Sequence, residues 1–233
     1  MEYDLSIAHD GILLVDKPAG WTSFDVVAKI RGQIRRQYQE QGIKPTKHQL
    51  KVGHAGTLDP FATGLLVILL GDATKKADEF LKLDKVYEAT IYLGKTSTTG
   101  DVEGEITSVS DRQPSLEEIE AALEHFRGEI TQVPPAYSAI KINGQRAYKL
   151  ARRGEVVDIP ERKVTIYSLD ILNYEYPLLE IRTHVSSGTY IRTLAEDIGK
   201  KLEVGGYCEV LRRSQIGDWQ LVTRDDVVDE PID

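Results

Sequence analysis

The alternation of apolar and polar positions divides the chain into distinct pieces. In "GILLVDKPAGWTSFDVVAKIRGQIRR", Ile12 to Val15 reads as a strand that Pro18, Ala19 and Gly20 break. Thr22 or Ser23 can cap the helix that follows, whose apolar stripe is Phe24, Val27, Ile30 and Ile34. Asp25 falls three residues after Thr22, the spacing of a capping box. Gln37 to Lys51 is polar and reads as a mobile link. The turn-rich "GHAGTLDPFATG" comes next, then the apolar strand "LLVILLG" and a helix around Ala73 to Leu83. "KVYEATIYLG" alternates, with Val86, Glu88, Thr90 and Tyr92 on one face and Tyr87, Ala89, Ile91 and Leu93 on the other. "TSTTGDVEG" reads as a loop. Ser115 and Glu118 frame a second capping box, on a helix that Gly128 ends. Asn143-Gly144 marks a turn before a short basic helix. Strands are expected at about Lys163 to Leu172 and Leu178 to Ser186. A helix carrying Ile191, Leu194, Ala195, Ile198 and Leu202 follows, and the last strand is "GYCEVLRRSQIG". Strands and helices mix irregularly, without a steady βαβ alternation, which predicts an α+β fold with a mixed, mostly antiparallel sheet.

Composition narrows the class. The chain has 233 residues, 41% hydrophobic and 28% charged, enough for one sizeable core or two small ones. The longest apolar run, Leu65 to Leu70, is strand-sized, so no membrane span is expected. The acidic start "MEYDLSIAHDG" lacks a signal-peptide pattern, which leads to the expectation of a cytoplasmic protein. A single cysteine, Cys208, excludes an internal disulfide and a cysteine-based zinc cluster. The five histidines lack ligand spacing, so no metal is expected. Net charge is −8, but it is unevenly spread. Lys29, Arg31, Arg35, Arg36, Lys44, Lys47 and Lys51 face Glu40 alone before His54, and Lys141, Arg146, Lys149, Arg152 and Arg153 form a second run free of acids. One such patch reads as a solvated face; two can contact phosphates.

The candidate chemistry centres on one carboxylate. Asp59 sits before Pro60 in a glycine-rich turn at the mouth of an apolar strand. Taken alone it reads as a turn cap. Glycines at 53, 56 and 64 let the backbone bend and approach a ligand, and the adjoining strand can hold the turn rigid. Some phosphotransferases carry a nucleophilic aspartate before Gly-Thr-Leu; here it comes after, and no second acid two residues away helps to hold Mg²⁺. A nucleophilic aspartate must stay ionised in a partly dry pocket, and a guanidinium beside it favours that form. Arg192, at a helix start in "SSGTYIRTLAEDIG", is the candidate, although its composition fits a surface arginine equally well.

The blocks "DKPAGWTSFDVV", "KVGHAGTLDPFATGLLVILLGDATK", "KVYEATIYLG", "VPPAYSAIKINGQRAYKLAR", "SSGTYIRTLAEDIG" and "EVLRRSQIG" occur in one order. That order resembles the TruB-type tRNA pseudouridine synthases, from about Gly11 to Gly217. The resemblance implies a pseudouridine synthase fold with a thumb segment that clamps RNA, over a catalytic domain spanning residues 1–217. The implied activity is conversion of the T-loop uridine at position 55 of tRNA to pseudouridine, with no cofactor and no metal. Asp59 matches the catalytic aspartate, which attacks the ribose or promotes loss of uracil from C1′. Arg192 matches the arginine paired with it, and Tyr87 the tyrosine that stacks on the target base and assists removal of the C5 proton. Tyr190 and Leu211 match residues lining the uracil pocket. His54 matches a histidine that enters the T-loop as the base is flipped out. Lys149, Arg152 and Arg153 fall in the thumb, where they would contact phosphates without reading sequence.

Two departures qualify the expectation. Many family members continue into an RNA-binding PUA domain, whereas residues 218–233 form a short acidic tail. The Gln37 to Lys51 stretch is longer than the usual link. The partner implied is the tRNA T-arm, bound by a monomer. An RNA-binding or tRNA-folding chaperone without catalysis is the alternative; intact Asp59, Tyr87 and Arg192 count against it.

Overall fold

The computed structural model describes residues 2–221, apart from Ala139, Asn143, Val156 and Val157, with Lys141 as backbone only. Asn143 of the expected turn and most of the acidic tail therefore lie outside the described residues. In chain order the elements begin with β1 (Ile12–Lys17), α1 (Ser23–Glu40), β2 (Val52–Ala55), β3 (Thr63–Leu70) and α2 (Ala77–Lys82). They continue with β4 (Lys85–Leu93), β5 (Lys95–Ser97), β6 (Ile106–Ser108), α3 (Leu116–Glu124) and β7 (Gly128–Gln132). The rest are β8 (Lys141–Ile142), β9 (Gln145–Arg146), α4 (Ala147–Ala151), β10 (Arg162–Glu175), β11 (Leu178–Val185), α5 (Ile191–Lys201), β12 (Gly206–Ile216) and β13 (Trp219–Gln220). The fold is α+β with a mixed sheet: β12 runs parallel to β3, while β1 and β2 run antiparallel to it and β13 runs antiparallel to β12. Among the described residues no helix is long and apolar enough to cross a membrane.

The chain divides into two compact units, Met1–Leu83 with Arg212–Asp233, and Asp84–Leu211. In the first, β3 is central. Its residues Leu65 to Leu69 are fully buried because neighbours cover both faces and both edges. β1 runs antiparallel on one edge, β2 antiparallel along the later half of the other, and β12 joins parallel at Arg212↔Thr63 and Arg213↔Gly64. Ile12, Ala55, Leu65, Val67, Leu69, Phe80 and Ile216 make the core. α1 starts at the expected capping box: Thr22 Oγ1 accepts from the Asp25 N–H, and Thr22 N–H donates to Asp25. It buries Val26, Val27 and Ile30, whereas Phe24 is 65% exposed and lies off that stripe.

The stretch read as a mobile link is helical over its first four residues and tied by hydrogen bonds beyond them. α1 runs on to Glu40, Thr46 and Gln49 hydrogen-bond each other, and Arg31 donates to the carbonyls of Leu50 and Val52. The expected helix at 73–83 is a 3₁₀ turn over Gly71–Lys76 followed by the short α2.

In the second unit the strand order β4–β11–β10–β7 is antiparallel throughout. β4 alternates as expected, with Tyr87, Ala89, Ile91 and Leu93 buried. α5 packs against β4 and α3, and α3 carries the Ser115–Glu118 capping box.

Candidate active site

Asp59 is half-buried in the loop between β2 and β3. Several buried polar side chains brace that loop within its own unit. Ser23, from the first turn of α1, accepts from the Leu58 N–H (2.9 Å) and donates to the Leu58 carbonyl (3.2 Å). Lys17, at the end of β1 and fully buried, sends its ammonium to the carbonyls of Trp21 (2.6 Å), Pro18 (2.8 Å) and Pro60 (3.1 Å). The Pro60 carbonyl also accepts from the Gly20 N–H. Arg213 of β12, 1% exposed, donates from Nε to Leu65 O (2.8 Å) and from Nη2 to Gly56 O (2.9 Å). Arg212 forms a forked pair with Asp16 (3.0 and 2.8 Å), which also accepts from the Gly64 N–H. The backbone on both sides of Asp59 is therefore fixed by charge-assisted bonds. Such rigidity suits a group that must meet a reacting atom at a set distance.

Gly64 sets how closely β12 approaches. Its φ is +96°, and a Cβ built there would lie 2.3 Å from the Arg213 carbonyl oxygen. Only glycine lets β3 and β12 come together at this point. His54, on β2 opposite Ile68, is half-buried with its ring edge-on to Phe24 at 6.5 Å.

Tyr87, Tyr190, Arg192 and Leu211 belong to the second unit. Arg192, the second residue of α5, is 3% exposed and so is not a surface arginine. Its Nη1 donates to the Thr99 carbonyl (2.9 Å) and to Asp101 Oδ2 (3.0 Å), and Nη2 donates to the Tyr137 carbonyl (2.8 Å). Asp101 is itself 2% exposed, and its other oxygen accepts from Thr99 Oγ1 (2.6 Å) and from the Glu103 N–H (3.0 Å). The segment read as a plain loop thus builds a carboxylate and a carbonyl into a guanidinium cradle. The local signal was an Asx turn, aspartate bonding a backbone N–H two residues on. Glu196, one turn after Arg192, is pushed up to about 7, first by burial and then by the charge of Asp197, with Arg192 pulling the other way.

Tyr190 is the N-cap residue of α5, half-buried, with the Arg162 guanidinium 4.8 Å from its ring centroid. Tyr87 faces the sheet interior, and Leu211 is buried in β12. Lys149, Arg152 and Arg153 are exposed on and just after α4. Arg152 lies over the Tyr148 ring (5.7 Å), while Arg153 pairs with Glu155 (2.9 Å), so that run is less bare than it reads. In the first basic stretch, Arg36 pairs with Glu2, and Lys29, Arg35, Lys44, Lys47 and Lys51 make no ion pair among the described residues.

Comparison with known proteins gives this arrangement a family. The N-terminal domain of the TruB family pseudouridylate synthases matches residues 43–191. The chain is 46% identical over 211 residues to tRNA pseudouridine synthase B of Pseudomonas syringae pv. syringae, covering 91% of this chain and 65% of that protein. It is 44% identical over 208 residues to tRNA pseudouridine synthase B of Endomicrobium trichonymphae, covering 89% and 85% respectively. It thus spans about two thirds of the Pseudomonas relative's length. A solved H/ACA RNP bound to a substrate RNA containing 2′-deoxyuridine superimposes with a TM-score of 0.61 at 26% identity, over 91% of this chain and 49% of that one. The matched segment holds the braced Asp59 loop and the cradle residues Thr99, Asp101 and Tyr137, reaching to within one residue of Arg192, and with relatives this similar the chain belongs to the TruB family of pseudouridylate synthases.

Proposed function

We propose that the chain isomerises the T-loop uridine at position 55 of tRNA to pseudouridine, with Asp59 as the catalytic carboxylate. The observation that carries this reading is the Asp59 loop: a single acid in a turn pinned by Ser23, Lys17 and Arg213, within the segment that matches the family. Relatives named tRNA pseudouridine synthase B support tRNA as the substrate. In this mechanism the target base leaves the stack of the folded loop and His54 enters the gap. Asp59 attacks the ribose or promotes departure of uracil, and the N1–C1′ bond breaks. The freed uracil turns, C5 bonds to C1′, and the C5 proton is lost while N1 gains one, so the sum is an isomerisation. Arg192 pairs with Asp59 and holds it ionised. Tyr87 stacks on the base and assists at C5, and Tyr190 and Leu211 line the uracil pocket. Lys149, Arg152 and Arg153 contact phosphates across the stem-loop. The reading includes a monomer acting in the cytoplasm.

The test is a reaction of unmodified tRNA transcript with the purified protein, followed by mapping of pseudouridine. Product at the T-loop uridine is expected with the native chain. None is expected with Asp59→Ala, which should still bind tRNA. Normal turnover by Asp59→Ala refutes the mechanism, and binding without any product from the native chain favours the chaperone reading.

A further inference from the structure

The first turn of α5 carries both Tyr190 and Arg192, yet it lacks the usual device for fixing a helix start. Its N-cap residue, Tyr190, makes no side-chain capping bond, and its backbone is extended (φ −103°, ψ 113°). The fixing comes from elsewhere. Gln132, the last residue of β7 and 1% exposed, turns its amide onto the Tyr190 backbone. Gln132 Oε1 accepts from the Tyr190 N–H at 2.8 Å, and Gln132 Nε2 donates to the Tyr190 carbonyl at 3.0 Å. The pattern is that of one rung of a β-ladder, made by a side chain. The same carbonyl accepts the Leu194 N–H of the helix, so the rung is continuous with the helical hydrogen bonds.

The residue opposite Gln132 across the β7–β10 pair is Arg162. Its guanidinium stacks on the Tyr190 ring at 4.8 Å and donates to the carbonyl of Gly188, two residues before Tyr190. One cross-strand pair thus grips both parts of Tyr190, Gln132 the backbone and Arg162 the ring. Chain segments after β7 reach the same turn. Thr193 donates to the Val133 carbonyl, and Arg192 to that of Tyr137. A fully buried amide with both ends satisfied has little freedom to shift.

We propose that Gln132 and Arg162 form a positioning clamp on Tyr190, which sets the pocket tyrosine and, two residues on, the Arg192 guanidinium for catalysis. The proposal rests on the function proposed above. Neither clamp residue meets the reacting atoms; both act through Tyr190 and the start of α5. Neither is among the residues assigned above to the stem phosphates, so the clamp is expected to govern kcat rather than KM.

Gln132→Met keeps the side chain's length and packing and removes both hydrogen bonds. Pseudouridine formation is then measured under single-turnover and steady-state conditions, beside tRNA affinity and thermal unfolding. We expect kcat to fall by about tenfold to a hundredfold, the size that a misplaced catalytic group costs. KM and tRNA affinity are expected to stay within about twofold of the native chain. Arg162→Met lies at the rim and leaves Gln132 in place; a smaller fall in kcat, again with KM unchanged, is expected. Should Gln132→Met not fold, the Arg162 variant decides the matter. A native kcat in the folded variants, or a loss confined to KM, overturns the clamp. If the native chain itself forms no pseudouridine, it is the proposed function that fails.

Discussion

Replacing Gly64 with alanine should separate two costs that glycine avoids. At φ +96° an alanine adopts a backbone conformation disfavoured by about 1–2 kcal/mol. The new methyl would also lie 2.3 Å from the Arg213 oxygen and 2.9 Å from its nitrogen, all backbone, so no side chain can swing aside. β12 must retreat from β3, an overpacking of about 1–3 kcal/mol. Loss of glycine's unfolded-state entropy returns about 0.4–1 kcal/mol. The net is about 1–4.6 kcal/mol, or a fall in melting temperature of about 2–18 °C for a chain of this size. Gly20→Ala is the matched control: its φ is +78°, and nothing lies within 4 Å of its Cβ. It bears the backbone strain alone, so its net loss should be about 0–1.6 kcal/mol. Urea unfolding of the two variants gives both numbers, and their difference is the contact with Arg213. Gly64→Ala should also turn over more slowly, because a displaced Arg213 releases Gly56 on the approach to Asp59. If Gly64→Ala is no less stable than Gly20→Ala, the close approach of β12 does not constrain the loop and the reasoning is wrong.

Lys17→Met should cost about 2–4 kcal/mol, since the carbonyls of Pro18 and Trp21 lose a charged donor while Pro60 keeps Gly20; an unchanged urea midpoint would contradict this. Glu196 is pushed up to about 7 in the folded chain from an ordinary 4.5, so the folded state holds its proton more tightly. Wild-type stability should then decline as pH rises from about 4.5 to 7, and Glu196→Gln should be more stable than wild type at pH 8 but not near pH 4; a constant difference across that window would argue against the shift. Replacing Lys149, Arg152 and Arg153 with glutamine should flatten the dependence of log tRNA affinity on log salt by about two to three. An unaltered slope would remove the thumb from phosphate contact.

Local signals carried much of the fold. Both capping boxes, the alternation of β4 and the run of β12 follow from residues near in sequence, where spacing alone specifies geometry. Phe24 misled because one helical turn tolerates an apolar residue off its stripe, and Gln37–Glu40 because a helix continues through polar residues of good propensity. The bracing of the candidate site was least legible. Lys17 and Arg213 are cations within strands, which usually face water, and their acceptors are carbonyls that carry no sequence signature. Asp101 and Gln132 acquire meaning only from Arg192 and Tyr190, which are distant in sequence.

The bond from Arg213 to Gly56 closes a loop of chain 157 residues apart. During synthesis the segment bearing Asp59 leaves the ribosome long before the strand that locks it. At about 5–20 residues per second, roughly 8–30 s separate the two events. Throughout that interval the start of β3 at Thr63 and Gly64 lacks β12, a stretch of strand edge open to wrong partners. The full set of braces at Asp59 is therefore among the last properties that the nascent chain acquires, and a ribosome stalled before Arg213 would present the acid on a loop held by Ser23 and Lys17 but not by Arg213.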